Sequence, residues 1–427
     1  MKKIAVIGAG YVGITTAACF ASMGHSVILA DNDQTKLDQL TNGMCPIVEE
    51  GLLDLLLIGV ESNKLFFTSS NERAVSDADF IFLCLPTPQG EDGTADTSFI
   101  ESVSKEIGPF LRADATVVTK STVPVGSAAV IEETLGRSDV GVVSNPEFLR
   151  EGSAIHDFLH PDRIVIGSHS VNASKLVCEL YESLAVRTII TDPSSAETIK
   201  YAANAFLATK ISFINAVAAI CEGVGADVLD VIEGMGSDSR IGNEFLHPGP
   251  GWGGSCFPKD TKALVKIAEI AGYDFALLRG VIEVNQQQYQ RIVQKVLSLR
   301  PHSPDVFRVC ALGLTFKAGT DDRRDSPAIS IIQSLISQGV EVHAYDPTVS
   351  IANNADELSG IRLHSSSQDA ANNSDVVLLL TEWSEFTNLD PVVIGSKMRS
   401  RNVVDARNIL NATQWRGAGF VHIGVGR

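Results

Sequence analysis

Short runs of β-branched and aromatic residues alternate with helical periodicity over the first 150 positions. "KKIAVIGAG", "SVILAD", "DADFIFLCLP", "ATVVTKST" and "VGVVSN" read as strands, with helices between them. Strands this uniformly apolar leave no face for solvent, so a parallel sheet covered on both sides by helices is expected. The alternation resumes near residue 305 with "DVFRVCALGLTF", a helix in "SPAISIIQSLISQG", then "VEVHAYDP", "SDVVLLLTEW" and "RNVVDAR". The fold class is therefore α/β, with two Rossmann-like doubly wound domains joined by a long central helical segment. The expected division is 1–192, 193–300 and 301–427.

The central segment opens with "DPSSAETIKYAANAFLATKISFINAVAAICEGVGAD". Ser194 and Glu197 have the spacing of a capping box, which satisfies orphan amides at a helix start. The helix that follows is apolar or small on nearly every side, so it must be buried. Burial against both domains and against a second copy of the chain is expected, which makes a homodimer.

Charge and cysteines remove several function classes. A net charge of -17 repels nucleic acid and anionic membrane surfaces. The seven cysteines, at 19, 45, 84, 178, 221, 256 and 310, form no C-x-x-C pair and no cluster with histidines, so a reducing compartment without a metal site is expected. "MKKIAVIG" has the basic-then-apolar start of a signal peptide, but Gly8, Gly10 and Gly13 interrupt the run. No uninterrupted apolar stretch reaches the roughly 20 residues of a membrane span. A soluble, cytoplasmic protein is expected.

Those three glycines follow a strand and open a helix. The first permits the tight turn, the second lets the backbone approach a pyrophosphate, and the third allows close helix-to-strand packing. Such a turn alone fits any nucleotide. Asp31, at the end of the second strand, stands where a carboxylate accepts from the adenosine ribose hydroxyls and repels a 2′-phosphate, so NAD is favoured over NADP. Lys36 is placed to brace the same ribose.

"GPGWGGSCFPKD" poses the other chemical question. Pro258 suits the first turn of a helix, which sets Cys256 just before a helix N-terminus, where the dipole and a nearby lysine favour a thiolate. The other six cysteines, in apolar or helical settings, read as buried structural thiols. Lys200 and Asn204 lie four apart on one helix face and can point into one cleft, and Lys259 and Asp260 follow the cysteine within a turn.

With these residues in hand, the chain resembles the UDP-glucose/GDP-mannose dehydrogenase family. The resemblance is carried by "GAGYVG", "STVPVG", "NPEFLREG", "IKYAANAF", "RIGNEFLHPGPGWGGSCFPKD" and "LTFKAGTDDRRDSPA", and the arginine of "VVDARN" extends it to Arg407. It implies two successive oxidations at a sugar C6, alcohol to aldehyde to carboxylate, with two NAD reduced. Cys256 would trap the aldehyde as a thiohemiacetal, and the thioester formed next would be cleaved by water. Lys200 would stabilise oxyanions with Asn204 as a neighbouring donor. Asp260 would hold protons through a water shared with Thr122, and Glu147 would order the hydrolytic water or act as base.

The same matching brings Tyr11, Val12, Thr87, Thr122, Glu151, Lys259 and Arg324 to NAD. Glu147, Phe148, Leu149, Arg150 and Glu151 would line the sugar nucleotide together with Lys200 and Asn204. Phe245, Leu246, His247, Pro248, Gly249 and Gly253 would line it from a second loop. Lys317 and Arg407 would add to that pocket, and Arg240 would arrive across the dimer interface. The glycines around Cys256 read as room for a sugar beside the backbone, with Trp252, His247 and Pro248 bearing on which sugar nucleotide fits. UDP-glucose is the leading substrate, and GDP-mannose or a UDP-N-acetylhexosamine would use the same catalytic set. A two-electron dehydrogenase of the 3-hydroxyacid or 6-phosphogluconate type would need neither the cysteine nor the second Rossmann-like domain.

Overall fold

The computed structural model describes residues 1–90, 94–301, 306–352 and 355–427. They form two units, residues 1–203 with 262–273, and residues 204–261 with 274–427. The first is built on strands β1 (Lys3–Ile7), β2 (Ser26–Ala30), β3 (Leu65–Thr68), β4 (Phe80–Leu83), β5 (Thr116–Thr119), β6 (Gly141–Ser144), β7 (Ile164–Gly167) and β8 (Thr188–Thr191). Their order is β3-β2-β1-β4-β5-β6-β7-β8, and β6 meets β7 antiparallel while the other neighbours run parallel. Alternate residues of β1 serve opposite faces. Ile4 and Val6 join Phe20, Phe80 and Phe82 on one side, and Ala5 and Ile7 join Ile81, Leu83 and Val117 on the other. Two buried faces explain why the centres of these strands are apolar.

The second unit repeats the plan with β9 (Arg308–Leu312), β10 (Glu341–Tyr345), β11 (Ile361–Leu363), β12 (Val376–Leu379), β13 (Asn402–Asp405) and β14 (Val421–Ile423). The order β11-β10-β9-β12-β13-β14 is again that of a doubly wound dinucleotide fold. Asp305, where the sequence pattern begins this block, lies outside the described residues. The strands that the pattern does not announce are β3, β7, β8, β11 and β14.

The central helix runs Pro193–Val224, 32 residues and about 48 Å. Its start differs from the expected capping box. Asp192 caps it, accepting from the Ser195 amide at 2.8 Å and the Ser195 hydroxyl at 2.6 Å. Glu197 turns away and accepts from the amides of Gly126 (2.6 Å) and Ala128 (3.0 Å) and from Ser144 Oγ (3.0 Å). Pro193 already occupies the first helical position, which leaves Ser194 inside the helix rather than at its cap. By length and composition the helix could cross a membrane, with a mean hydropathy of 1.5 in its 18-residue window. That qualifies the sequence reading, yet the helix buries Glu197, Lys200, Asn204, Ser212 and Asn215 inside the fold.

Cys19, Cys84, Cys221 and Cys310 are buried as expected, whereas Cys45, in the loop after the helix Gln34–Thr41, and Cys178, on the helix Val171–Leu180, are half-buried. Among the described residues no group of three or more potential ligands could hold a metal ion.

Candidate active site

Each sheet has a switch point, where connections leave neighbouring strands in opposite directions. In the first unit this lies between β1 and β4. Gly8 has φ +103° there, and a Cβ on it would stand 2.4 Å from the Cys84 carbonyl oxygen. A Cβ on Gly10 would meet nothing within 4 Å, while one on Gly13 would be 1.8 Å from the Gly8 carbonyl oxygen. The turn, the open approach and the close packing are thus divided among the three glycines as the motif requires. Asp31, at the end of β2, accepts from the Ala9 amide at 2.5 Å and the Asp33 amide at 2.8 Å, which leaves lone pairs for ribose hydroxyls. Lys36, on the surface, stands 3.9 Å from Asp33. Tyr11 and Val12 open the helix Tyr11–Ser22 and are partly exposed. Thr87 is buried after β4 and donates to the Thr122 carbonyl at 2.9 Å, tying two of the expected cofactor residues together. Open space at Gly10, helix amides behind it and a carboxylate at Asp31 fit a dinucleotide.

Beyond β6 the chain places a buried ion pair. Glu147 Oε1 meets Lys200 Nζ at 2.9 Å, and Oε2 accepts from the Leu149 amide at 2.5 Å. Lys200 is only 3% exposed, which rules out a solvated surface lysine. Burial pushes the Glu147 carboxyl up, but the Lys200 ammonium, its hydrogen bond, the Leu149 amide and the Lys120 ammonium together pull it below its ordinary value. Thr122, Ser144, Glu197 and Lys200 line one small cavity. Phe148 stacks under the Arg163 guanidinium at 3.6 Å with Lys200 Nζ 5.4 Å from its ring, and Arg150 pairs with Asp157 at 2.6 Å. Glu151 is half-buried beside them.

In the second unit Cys256 is half-buried and immediately precedes the helix Phe257–Ile270. Its carbonyl accepts the helix's first bond, from the Asp260 amide at 2.9 Å, and its Sγ is 3.6 Å from Ser255 Oγ. Asp260 is wholly buried and accepts from Asn204 Nδ2 at 2.6 Å and Lys259 Nζ at 2.8 Å. The fold thus brings Asn204 to Asp260, 56 residues further along the chain and one helical turn from Cys256.

The surrounding glycines behave differently from the expectation. A Cβ on Gly251 would meet Tyr289 at 2.5 Å, on Gly253 the Asp325 carbonyl oxygen at 2.1 Å, and on Gly254 the Phe316 ring at 2.9 Å. At each of the three, the missing side chain makes room for the protein's own close packing. Trp252 is also buried, its indole donating to Ser212 Oγ at 2.9 Å and its amide to Asn285 Oδ1 at 2.8 Å. It is a core residue of this unit and offers no open face to a ligand.

Phe245 takes φ +63°, Leu246 and Pro248 are buried, and His247 is exposed. Gly249 is held by Asn215 Oδ1 at 2.8 Å and Gln288 Nε2 at 2.7 Å. Arg407, after β13, donates to the carbonyls of Leu380 (2.8 Å) and Phe316 (3.0 Å) and pairs with Glu382 at 3.1 Å. Lys317 follows Phe316, so both cations flank the switch point between β9 and β12. Arg324 pairs with Asp322 at 2.7 Å and Arg240 with Asp238 at 2.5 Å, both at the surface.

Models of one family match the chain in three successive pieces. They are described as the NAD binding domain (residues 2–185), the central domain (194–287) and the UDP binding domain (310–412) of the UDP-glucose/GDP-mannose dehydrogenase family. The chain belongs to that family. A UDP-glucose 6-dehydrogenase of Bacillus subtilis is 43% identical over 432 residues, spanning 100% of this chain and 94% of the relative. The solved UDP-glucose dehydrogenase of Pyrobaculum islandicum is 35% identical with a TM-score of 0.92, covering 100% of this chain and 98% of that one. A UDP-D-ManNAc dehydrogenase of Pyrococcus horikoshii is similar at 28% identity and a TM-score of 0.87, covering 99% of both chains.

As a member of this family the chain uses NAD, and the glycine turn with Asp31 falls in its NAD-binding domain, Lys317 and Arg407 in its UDP-binding domain. Four further residues enter the site from structure. Glu49 accepts from Tyr11 Oη and from the amides of Gly152 (2.7 Å) and Ala154 (2.8 Å), pinning the segment after Glu151 to the cofactor turn. Glu197 holds the loop that carries Thr122, while Lys120 and Asn145 lie behind Glu147. No local signal separates Glu49 from its exposed neighbour Glu50, and a lysine just after a strand, as Lys120 is, ordinarily reads as solvated.

Proposed function

We propose that the protein catalyses the NAD-dependent, four-electron oxidation of UDP-glucose to UDP-glucuronate. The observation that carries the reading is Cys256 at the head of a helix whose first turn bears a buried Asp260 held by Asn204 and Lys259. A dehydrogenase that stops at the aldehyde has no use for a thiol so placed. NAD, when bound, supplies the hydride acceptor for each oxidation. As the C6 hydride first departs, the hydroxyl proton passes to Asp260 or to a water that it holds, and Lys200 and Asn204 stabilise the alkoxide. The Cys256 sulfur adds to the aldehyde carbon and the oxygen takes up a proton, which makes a thiohemiacetal that is again a hydride donor. Loss of the second hydride, with the hydroxyl proton passing again to Asp260 or its water, leaves a thioester. Water ordered by Glu147 attacks it and gives up a proton to that carboxylate, the C–S bond breaks, and Cys256 departs as the thiolate.

The remaining assignments follow the family pattern. Gly8 to Gly13, Asp31, Lys36, Thr87 and Thr122 hold NAD with Glu151, Lys259 and Arg324, and the loop 245–249, Gly253, Lys317 and Arg407 hold the sugar nucleotide. The chain works as a cytoplasmic homodimer of three-part subunits, 1–192, 193–300 and 301–427, with Arg240 crossing the interface. Phe206, Phe213 and Ile220, exposed at seven-residue intervals on the central helix, support a second copy as their cover.

The test is NADH stoichiometry on a substrate panel. Two NADH per UDP-glucose with little turnover of GDP-mannose or UDP-N-acetylmannosamine is expected, and Cys256→Ala should yield no UDP-glucuronate. One NADH per sugar, or carboxylate formed by the alanine variant, overturns the mechanism.

A further inference from the structure

Lys120 follows β5 directly and is 5% exposed, with its Nζ near the rings of Phe158 (5.7 Å) and Tyr181 (5.9 Å). Its polar contact is with Asn145 Oδ1 at 3.4 Å, an oxygen that also accepts from Tyr181 Oη at 2.7 Å. Asn145 Nδ2 donates to the Val165 carbonyl at 2.8 Å and its amide to the Thr119 carbonyl at 2.9 Å. Asn145 is therefore held at both ends of its side chain and at its backbone, two residues before Glu147. Because Pro146 stiffens the link, whatever fixes Asn145 fixes the direction in which the Glu147 carboxylate leaves the sheet.

We propose that Lys120 is a positioning residue for Glu147, its buried ammonium clamping Asn145 and so keeping the carboxylate aimed for the hydrolytic step. This rests on the reading of Glu147 given above. A buried ammonium with so few partners is a burden on folding, so its contribution is to be sought at the site. The groups that face it are Cys84 after β4, Cys19 on the helix Tyr11–Ser22, Tyr181 after the helix Val171–Leu180, Glu147 after β6 and Lys200 on the central helix. Burial pulls the ammonium down to about 8, with Lys200 adding to the fall and Cys84, Glu147 and Cys19 opposing it. As pH rises through that value the charge is lost, and with it the clamp on Asn145 and the field on Glu147.

The test uses the full chain with NAD and UDP-glucose. It reads kcat and both KM values from about pH 6 to about pH 10, and the intact mass of enzyme quenched during turnover. Lys120→Met should lower kcat about tenfold with both KM values within about twofold, and an acyl adduct should accumulate on Cys256. Lys120→Arg, whose charge does not titrate in this range, should recover kcat to within about threefold and lose the wild-type fall in kcat near pH 8. Wild-type kcat without adduct in Lys120→Met, or the wild-type fall persisting in Lys120→Arg, overturns the proposal, and the arginine variant decides even if the methionine variant does not fold. Glu147→Gln separates the two readings. An adduct in Glu147→Gln but none in Lys120→Met sinks the role of Lys120 alone, whereas no adduct in Glu147→Gln sinks the hydrolytic role of Glu147 and this proposal with it.

Discussion

Gly10→Ala and Gly13→Ala, three residues apart in one motif, should fail in opposite ways. Gly10 has φ -85° and ψ -173°, backbone that alanine adopts freely, and its Cβ would enter open space. Without NAD the variant should be as stable as wild type, or more stable by up to about 1 kcal/mol, since alanine narrows the unfolded ensemble. With NAD, the methyl group occupies the pyrophosphate's approach. Losing one charge-assisted hydrogen bond of about 1.5–3 kcal/mol raises Kd by roughly ten- to a hundredfold.

At Gly13 the added carbon would stand 1.8 Å from the Gly8 carbonyl oxygen and 3.3 Å from Cys84 Cβ. Gly8 cannot yield, because its amide donates to the Ala30 carbonyl at 2.8 Å and its own Cβ direction faces the Cys84 carbonyl oxygen. The helix must lift from the sheet. Overpacking of about 1–3 kcal/mol corresponds to a fall in Tm of roughly 3–10 °C for a unit of this size. Thermal unfolding without NAD and calorimetric titration with NAD measure the two effects. A Gly10→Ala protein that melts early, or that binds NAD as tightly as wild type, refutes the division of labour.

Asp31→Asn removes the charge that excludes a 2′-phosphate, so kcat/KM with NADP relative to NAD should rise by about tenfold, and an unchanged ratio would count against Asp31 as the ribose ligand. Lys200→Met strands the Glu147 carboxylate in the interior and should cost about 3–5 kcal/mol at pH 7. Because the folded Glu147 carboxyl lies below its ordinary value, the pair stabilises the fold above the usual carboxylate range and ceases to do so as pH falls below it. The gap between the two proteins in urea unfolding should therefore narrow toward acid pH. Lys120 has the reverse sign. Its ammonium falls from an ordinary 10.5 to about 8, so the unfolded chain binds the extra proton and wild-type stability should rise between those values. Lys120→Met should be more stable than wild type at pH 7, by about 3 kcal/mol, with the difference fading toward pH 10, as denaturant titrations at the two ends would show.

The strands that face two buried layers, β1, β4, β9 and β12, are legible as apolar runs, because burial on both faces favours apolar side chains along most of their length. The glycine turn, Asp31 and the cysteine ahead of Pro258 are legible for a related reason: each needs a residue type that few others can replace, at a spacing set by the local backbone. Those features, with the family resemblance, determined the fold class, the cofactor and the chemical class of the reaction. Tertiary structure decided the rest. It made Gly251, Gly253 and Gly254 sites of close packing against Tyr289, Asp325 and Phe316, buried Trp252, and sent Glu197 to the Thr122 loop instead of to a cap. It also brought Glu49 to Tyr11 and Lys120 to Asn145, contacts spanning 38 and 25 residues that leave no period in the chain. A local pattern records only what a residue's own backbone demands, whereas a buried charge or a tight glycine is defined by neighbours that arrive from elsewhere.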